Sequence, residues 1–143
     1  MIRTKVIFLC TGNSARSQMA EGLLRHAVGS GVEVLSAGLD PKGVSPHAIQ
    51  AMKDIGIDIS GHRAKNVTDF LGQPIQIVVS VCDRAREKCP VFPLAYKYLH
   101  WSIPDPAAVE DEATKAAAFS AARDRIKDHI ANELLPLLQR TPH

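Results

Sequence analysis

A chain of 143 residues with 45% hydrophobic content can bury an ordinary core and is expected to form a single domain over residues 1–143. Seventeen basic against fifteen acidic side chains leave a net charge of +2, which suits an anionic ligand but gives no pull toward nucleic acid. No stretch approaches the ~18 apolar residues of a membrane span. Met1-Ile2-Arg3-Thr4-Lys5 leads into the first apolar run without the core or cleavage site of a signal peptide. The three cysteines, an odd number, are therefore expected in a reducing cytoplasm, as catalytic or redox-active thiols rather than structural ones.

In chain order, Lys5–Cys10 reads as a buried strand, and Met19, Ala20, Leu23, Leu24, Ala27 and Val28 form the apolar face of a helix ended by Gly29 and Gly31. Val32–Ala37 is a second strand. Ser45 then caps a helix with Pro46 at its first position, Ala48, Met52 and Ile55 as its stripe, and Gly56 at its C-terminal turn. A short helix is predicted over Val67–Leu71. Ile75–Cys82 is β-branched and apolar almost throughout, as a strand covered on both faces should be. Tyr98–Ser102 is a weaker strand. A long helix over Asp111–Leu138 carries Phe119, Ala122, Ile126, Ile130, Leu134 and Leu138 on one face, with Pro136 fraying its end. Strands alternating with helices predict an α/β fold of three layers, a four-stranded parallel sheet with helices on both faces. Ligands of such sheets sit beyond the carboxyl ends of the strands, where Cys10 and Cys82 both fall. If the first and third strands are neighbours, the two thiols share one site.

The strand-to-helix turn after the first strand is the most informative segment. Cys10 is followed by Thr11-Gly12-Asn13-Ser14-Ala15-Arg16-Ser17, a short loop feeding a helix N-terminus. Such a loop converges backbone N–H groups and the positive end of a helix dipole on one point, which binds an oxyanion. The same field is expected to lower the pKa of Cys10 and favour its thiolate, while Arg16 adds forked donors for two oxygens. The segment thus reads as a nucleophilic thiolate aimed at a tetrahedral oxyanion such as phosphate or arsenate, held by residues 11–17. A plain buried cysteine at a strand end is the alternative, and it leaves Arg16 and the loop unexplained.

Cys82 and Cys89 bracket Asp83-Arg84-Ala85-Arg86-Glu87-Lys88, a spacing that suits a helical turn or a flexible loop. A disulfide across it requires the helix to unwind. Arg84, Arg86 and Lys88 are expected to lower the pKa of a thiol beside them. A zinc site is a poor fit, since the pair, Cys10 and a loose His62 or His100 make no good four-ligand set. Two unrelated buried cysteines remain possible. His26, His47, His129 and His143 fall on helix faces, near caps or at the terminus and claim no chemistry; His62 could orient the site from behind.

These residues together resemble the thioredoxin-coupled arsenate reductases built on the low-molecular-weight tyrosine phosphatase fold. The likeness rests on Cys10 through Ser17, Ser36-Ala37-Gly38, Val81-Cys82 through Cys89-Pro90, and His100-Trp101-Ser102-Ile103-Pro104-Asp105-Pro106, in the family's order over most of the chain. The loop is shared across the superfamily, and the Cys82/Cys89 pair selects the reductase branch. The resemblance implies that Cys10 attacks arsenate held by the loop and Arg16, with Asp105 as general acid. Ser17 would stabilise the Cys10 thiolate and Asn13 the loop. Cys82 would then attack Cys10, releasing arsenite, and Cys89 would carry the disulfide outward for thioredoxin to reduce, with no tightly bound cofactor. For Asp105 the plain alternative is a turn-forming Asp before Pro.

Some reductases of this type bind potassium through positions matching Asn13, Glu21 and Ser36 plus a carboxylate. Lys65 stands at the carboxylate's position here, so the resemblance implies an ammonium paired with Glu21 and no potassium requirement. It also implies phosphate or sulfate as competing oxyanions, and no large apolar patch demands a second subunit, so a monomer is expected. Two other readings stay open. One is a low-molecular-weight tyrosine phosphatase, which needs the loop and Asp105 but neither Cys82 nor Cys89; the thin aromatic supply argues for a smaller substrate. The other is a redox sensor or anion-binding module whose disulfide switches a partner.

Overall fold

The structure, a computed structural model, describes residues 3–140, so His143 lies outside the described residues. Its frame is β1 (Thr4–Cys10), α1 (Arg16–Val28), β2 (Val32–Gly38), α2 (Pro46–Lys53), β3 (Ile77–Ser80), α3 (Asp83–Glu87), β4 (Lys97–His100), α4 (Glu112–His129) and α5 (Leu135–Arg140). The strands pair in parallel in the order β2-β1-β3-β4, an α/β fold in which helices flank a four-stranded sheet. Val6, Ile7, Phe8 and Leu9 on β1 are at most 1% exposed, which is why these strands read as unbroken apolar runs rather than alternating ones. β4 is an edge strand and exposes Lys97 and Tyr98.

Two registers place the site. Leu9 pairs with Ser80, and the Val81 N–H continues the ladder onto the Leu9 carbonyl at 2.9 Å, so Cys10 and Cys82 leave the sheet side by side. On the other flank Cys10 pairs with Gly38. A β-carbon on Gly38 would stand 2.7 Å from the Thr11 carbonyl oxygen and 2.8 Å from the Asn13 nitrogen, so only glycine lets the loop lie this close to β2.

The predicted elements are present with several differences, the fourth strand running over Lys97–His100 and not Tyr98–Ser102. β3 is shorter than the apolar run, because the Ile75 N–H turns back onto the Gln73 carbonyl. Ala27 and Ile55, placed on apolar stripes by spacing, are exposed; Ile55 lies past the end of α2, whereas beside Ala27 it is Val28 that packs on the core. The short helix is a 3-10 turn over Val67–Phe70. The long helix does not fray at Pro136: a π turn over Ile130–Leu134 joins α4 to α5, with the Leu135 N–H donating to the Ile130 carbonyl. Proline has no N–H and its ring collides with the carbonyl four residues back, and the wider turn just before it makes that room. All six residues of the predicted stripe, Phe119 to Leu138, remain buried through the bulge. Among the described residues, no helix is long and apolar enough to cross a membrane.

Candidate active site

The loop between β1 and α1 is clamped by the segment that follows β2. The N–H groups of Leu39, Asp40, Lys42 and Ser45 donate to the carbonyls of Cys10, Thr11, Gly12 and Ser14 at 3.2, 2.8, 3.0 and 2.8 Å. Gln18 Nε2 takes the remaining carbonyl, that of Asn13, at 3.1 Å. In a planar trans peptide the N–H points opposite to the carbonyl. Fixing the carbonyls of residues 10–14 outward therefore aims the N–H groups of residues 11–15 inward. One of them, that of Asn13, reaches Cys10 Sγ at 3.2 Å. The loop thus forms a nest of backbone N–H groups around Cys10 Sγ.

Asn13 holds the loop's shape. Its φ of 47° lies in the left-handed region, uncommon outside glycine. Its side chain is fully buried and uses both ends. Oδ1 accepts from the Lys65 N–H at 2.8 Å and from Gln18 Nε2 at 3.0 Å, and Nδ2 donates to Ser17 Oγ at 2.8 Å and Ser36 Oγ at 3.0 Å. Because Ser17 Oγ accepts from Asn13, its own proton is free to point at Cys10 Sγ, 2.8 Å away. Cys10 Sγ thus has two donors aimed at it, and the residue is only 3% exposed.

Behind Asn13 lies a second layer that periodicity gave no reason to expect. Ser17, Gln18 and Glu21 on α1 are polar yet buried. Glu21 accepts from Ser36 Oγ at 2.5 Å, pairs with Arg25 at 2.8 Å and stands 3.4 Å from Lys65 Nζ. Gln18 Nε2 is committed to carbonyl oxygens, including that of Arg63 at 2.9 Å, so its Oε1 accepts from His62 Nδ1 at 2.9 Å. Arg25 then donates to His62 Nε2 at 3.3 Å, which fixes a neutral Nδ1–H imidazole. Burial holds the His62 pKa below the ordinary histidine value; Glu21 opposes that shift, and Arg25 and Lys65 add to it. Gln18 and Arg25 went unrecognised in the sequence, where each reads as an ordinary polar position on a helix. A potassium ion has no place among these groups, because Asn13 Oδ1 is already doubly bonded and the Lys65 ammonium faces Glu21.

Arg16 opens α1 and donates from Nη1 to the Ile103 carbonyl at 2.9 Å, tying the loop to the segment that carries Asp105. Asp105 is exposed, and its carboxylate accepts from the Ala107 N–H at 3.0 Å, capping the 3-10 turn Pro106–Ala108. It has the turn-forming contact that the plain reading foresaw. Trp101 is 1% exposed and packs on Phe8 and His129, so it belongs to the core.

The second thiol is adjacent. Thr11 Oγ1 lies 3.6 Å from Cys82 Sγ, so one loop residue links the two cysteines. Cys82 is 5% exposed and caps α3, its sulfur accepting from the Ala85 N–H at 3.4 Å. Cys89 sits beyond the other end of the five-residue helix, half-buried, with Sγ donating to the Pro90 carbonyl at 3.4 Å. All three thiols are free. One expectation is overturned here. Burial pushes the Cys89 pKa up, not down as its basic neighbours suggested, because Arg84, Arg86 and Lys88 are all exposed while the sulfur tucks toward the protein.

The model of the low molecular weight phosphotyrosine protein phosphatase family matches residues 5–141. Among curated proteins, the arsenate reductase of Staphylococcus xylosus is 41% identical over 132 residues, covering 92% of this chain and 97% of that protein. The arsenate reductase of Halalkalibacterium halodurans is 42% identical, covering 91% and 94%. Among solved structures, an arsenate reductase in the phosphate binding state superposes with a TM-score of 0.81 at 29% identity, covering 97% of this chain and 99% of that one. A thioredoxin-dependent arsenate reductase from Corynebacterium glutamicum gives 0.71 at 29% identity, covering 96% of this chain and 62% of that one. With the family match spanning nearly every residue and the loop built as described, the chain belongs to the low molecular weight phosphotyrosine protein phosphatase family.

Proposed function

We propose that this protein reduces arsenate to arsenite by a relay of three thiols, with electrons from thioredoxin. The observation that carries the reading is the presence of two cysteines at one loop: Cys10 Sγ with donors from Ser17 and Asn13, and Cys82 Sγ in hydrogen-bond contact with Thr11, the residue next to Cys10. The reductase names of relatives about 40% identical over most of the chain support it.

In this reading arsenate occupies the loop, held by the inward N–H groups and Arg16. The Cys10 thiolate forms a sulfur–arsenic bond as one arsenic–oxygen bond breaks, and the departing oxygen takes a proton from Asp105 and leaves as water. Asp105 must first give up its Ala107 contact or be re-aimed by the substrate. Cys82 then attacks the Cys10 sulfur. The sulfur–arsenic electron pair returns to arsenic, which passes from As(V) to As(III) and leaves as arsenite, and a Cys10–Cys82 disulfide remains. Cys89 attacks Cys82, frees Cys10 as a thiolate, and forms a Cys82–Cys89 disulfide that the thioredoxin dithiol reduces. The two electrons gained by arsenic equal the two lost by the cysteine pair. The protein works as a cytoplasmic monomer, needs no bound cofactor, and is indifferent to potassium because the Lys65 ammonium already faces Glu21.

The test is arsenate-dependent NADPH oxidation with thioredoxin and thioredoxin reductase, comparing the protein with Cys82→Ser and Cys89→Ser. Turnover that is lost in both variants supports the relay. Hydrolysis of aryl phosphates that neither substitution touches, with no arsenate turnover, makes the protein a phosphatase, the activity named for a structural relative, an arginine phosphatase from Geobacillus stearothermophilus (26% identity, TM-score 0.74).

A further inference from the structure

The oxyanion loop carries one cation of its own, Arg16, and part of that guanidinium is committed to the Ile103 carbonyl. A second cation lies across the loop on the clamp. The Lys42 N–H donates to the Gly12 carbonyl, which fixes the backbone of Lys42 against the loop. Its Cγ and Cβ lie 3.3 and 3.6 Å from the point a β-carbon on Gly12 would occupy. The aliphatic stem therefore covers the position where Gly12 presents no side chain, and the side chain ends in an exposed amine. Its Nζ pairs with Asp40 at 2.9 Å, with the two side chains 66% and 59% exposed. Exposed pairs of this kind contribute little to stability, so an anion of higher charge in the loop can compete for the ammonium at little cost. A lysine suits that exchange, being a compact charge on a flexible stem with rotatable donors.

We propose that Lys42 is an oxyanion-capture residue, whose ammonium leaves Asp40 for a tetrahedral dianion in the loop, with Asp40 holding it until the dianion arrives. The assignment rests on the loop being an oxyanion site, as proposed above. It makes Asp40 a brake on affinity: the carboxylate competes with the ligand for the same amine. The backbone hydrogen bond to Gly12 survives any side-chain change, and methionine keeps an unbranched stem over Gly12, so charge and packing can be separated.

The experiment is calorimetric titration of the reduced full-length protein with inorganic phosphate, at low and high salt. It uses wild type, Lys42→Met, Lys42→Arg and Asp40→Asn, with the melting temperature of each recorded. Lys42→Met should weaken phosphate binding about three- to tenfold at low salt, and the loss should shrink at high salt. Lys42→Arg should restore affinity to within about twofold, and Asp40→Asn should tighten binding by up to about threefold. Lys42→Met binding phosphate as wild type does overturns the proposal and leaves the oxyanion site intact. Equal weakening in Lys42→Met and Lys42→Arg, with lowered melting temperatures, assigns the side chain to packing and also overturns it. Absence of phosphate binding in the wild type overturns the oxyanion site itself.

Discussion

The oxyanion loop and the Cys82–Cys89 segment carry the same functional group and are built in opposite ways. In the loop every carbonyl from Cys10 to Ser14 is tied, and Asn13, Ser17 and Gln18 are fully buried. In the segment α3 has five residues, of which only Ala85 is buried, and a helix this short has little stability of its own. What holds it is a small set of contacts at its start: His100 Nε2 and Ser102 Oγ reach Asp83 at 2.9 and 3.0 Å, with Ser80 Oγ 2.8 Å behind the imidazole. Those contacts pull the Asp83 pKa down, the hydrogen bond from His100 first. Binding and attack need atoms fixed in advance, whereas passing a disulfide outward needs the chain between two cysteines to move. The loop is rigid and the segment is latched.

The largest effect should come from the rigid side. Asn13→Ala removes four buried side-chain hydrogen bonds at a left-handed residue, and should lower stability by about 3 kcal/mol. A fall in melting temperature of roughly 10 °C, by calorimetry, would match it; a change of only a degree or two would mean the clamp alone holds the loop. On the latched side, Cys89 should be a slow nucleophile at neutral pH, since its raised pKa keeps it a neutral thiol. In a protein carrying Cys10→Ser and Cys82→Ser, its alkylation rate should rise about tenfold per pH unit, to a midpoint above that of free cysteine measured alongside. A midpoint below free cysteine would show the basic neighbours outweighing burial after all. The smallest effect is expected from Asp83→Asn, which loosens the latch: the melting temperature should barely move, because the side chain is 65% exposed. Hydrogen exchange of residues 83–89 should nonetheless speed up while that of residues 10–17 stays unchanged. Equal acceleration in both would erase the contrast.

Much of the loop was legible because its physics is local. Cys10 through Ser17 lies within one strand end and one helix start, so a nest of backbone N–H groups could be expected from chain order, although residues 39–45 are what hold its carbonyls outward. Ser45 and Pro46 announced α2 for the same reason, and Ser45 does accept from the His47 and Ala48 N–H groups. Legibility failed where a residue's neighbours come from elsewhere. Gln18 looked like an ordinary polar helix position, yet its partners are Asn13, His62 and Arg63. Cys89 looked activated because the charges nearest in sequence are basic, but they point to solvent and the sulfur does not.

The amino-acid sequence by itself determined the parallel α/β pattern, the thiol at the mouth of a loop opening a helix, and the spacing of the second cysteine pair, since each depends on short-range periodicity and turn chemistry. Only the tertiary structure decided that β1 lies between β2 and β3, and everything distinctive about the site follows from that order. It brings Cys82 to Thr11, sets Gly38 against the loop, and lays residues 39–45 along it as a clamp. These contacts join residues up to 71 positions apart, and they form because burying two-sided apolar strands leaves one neighbour on each flank of β1, a constraint no local window contains.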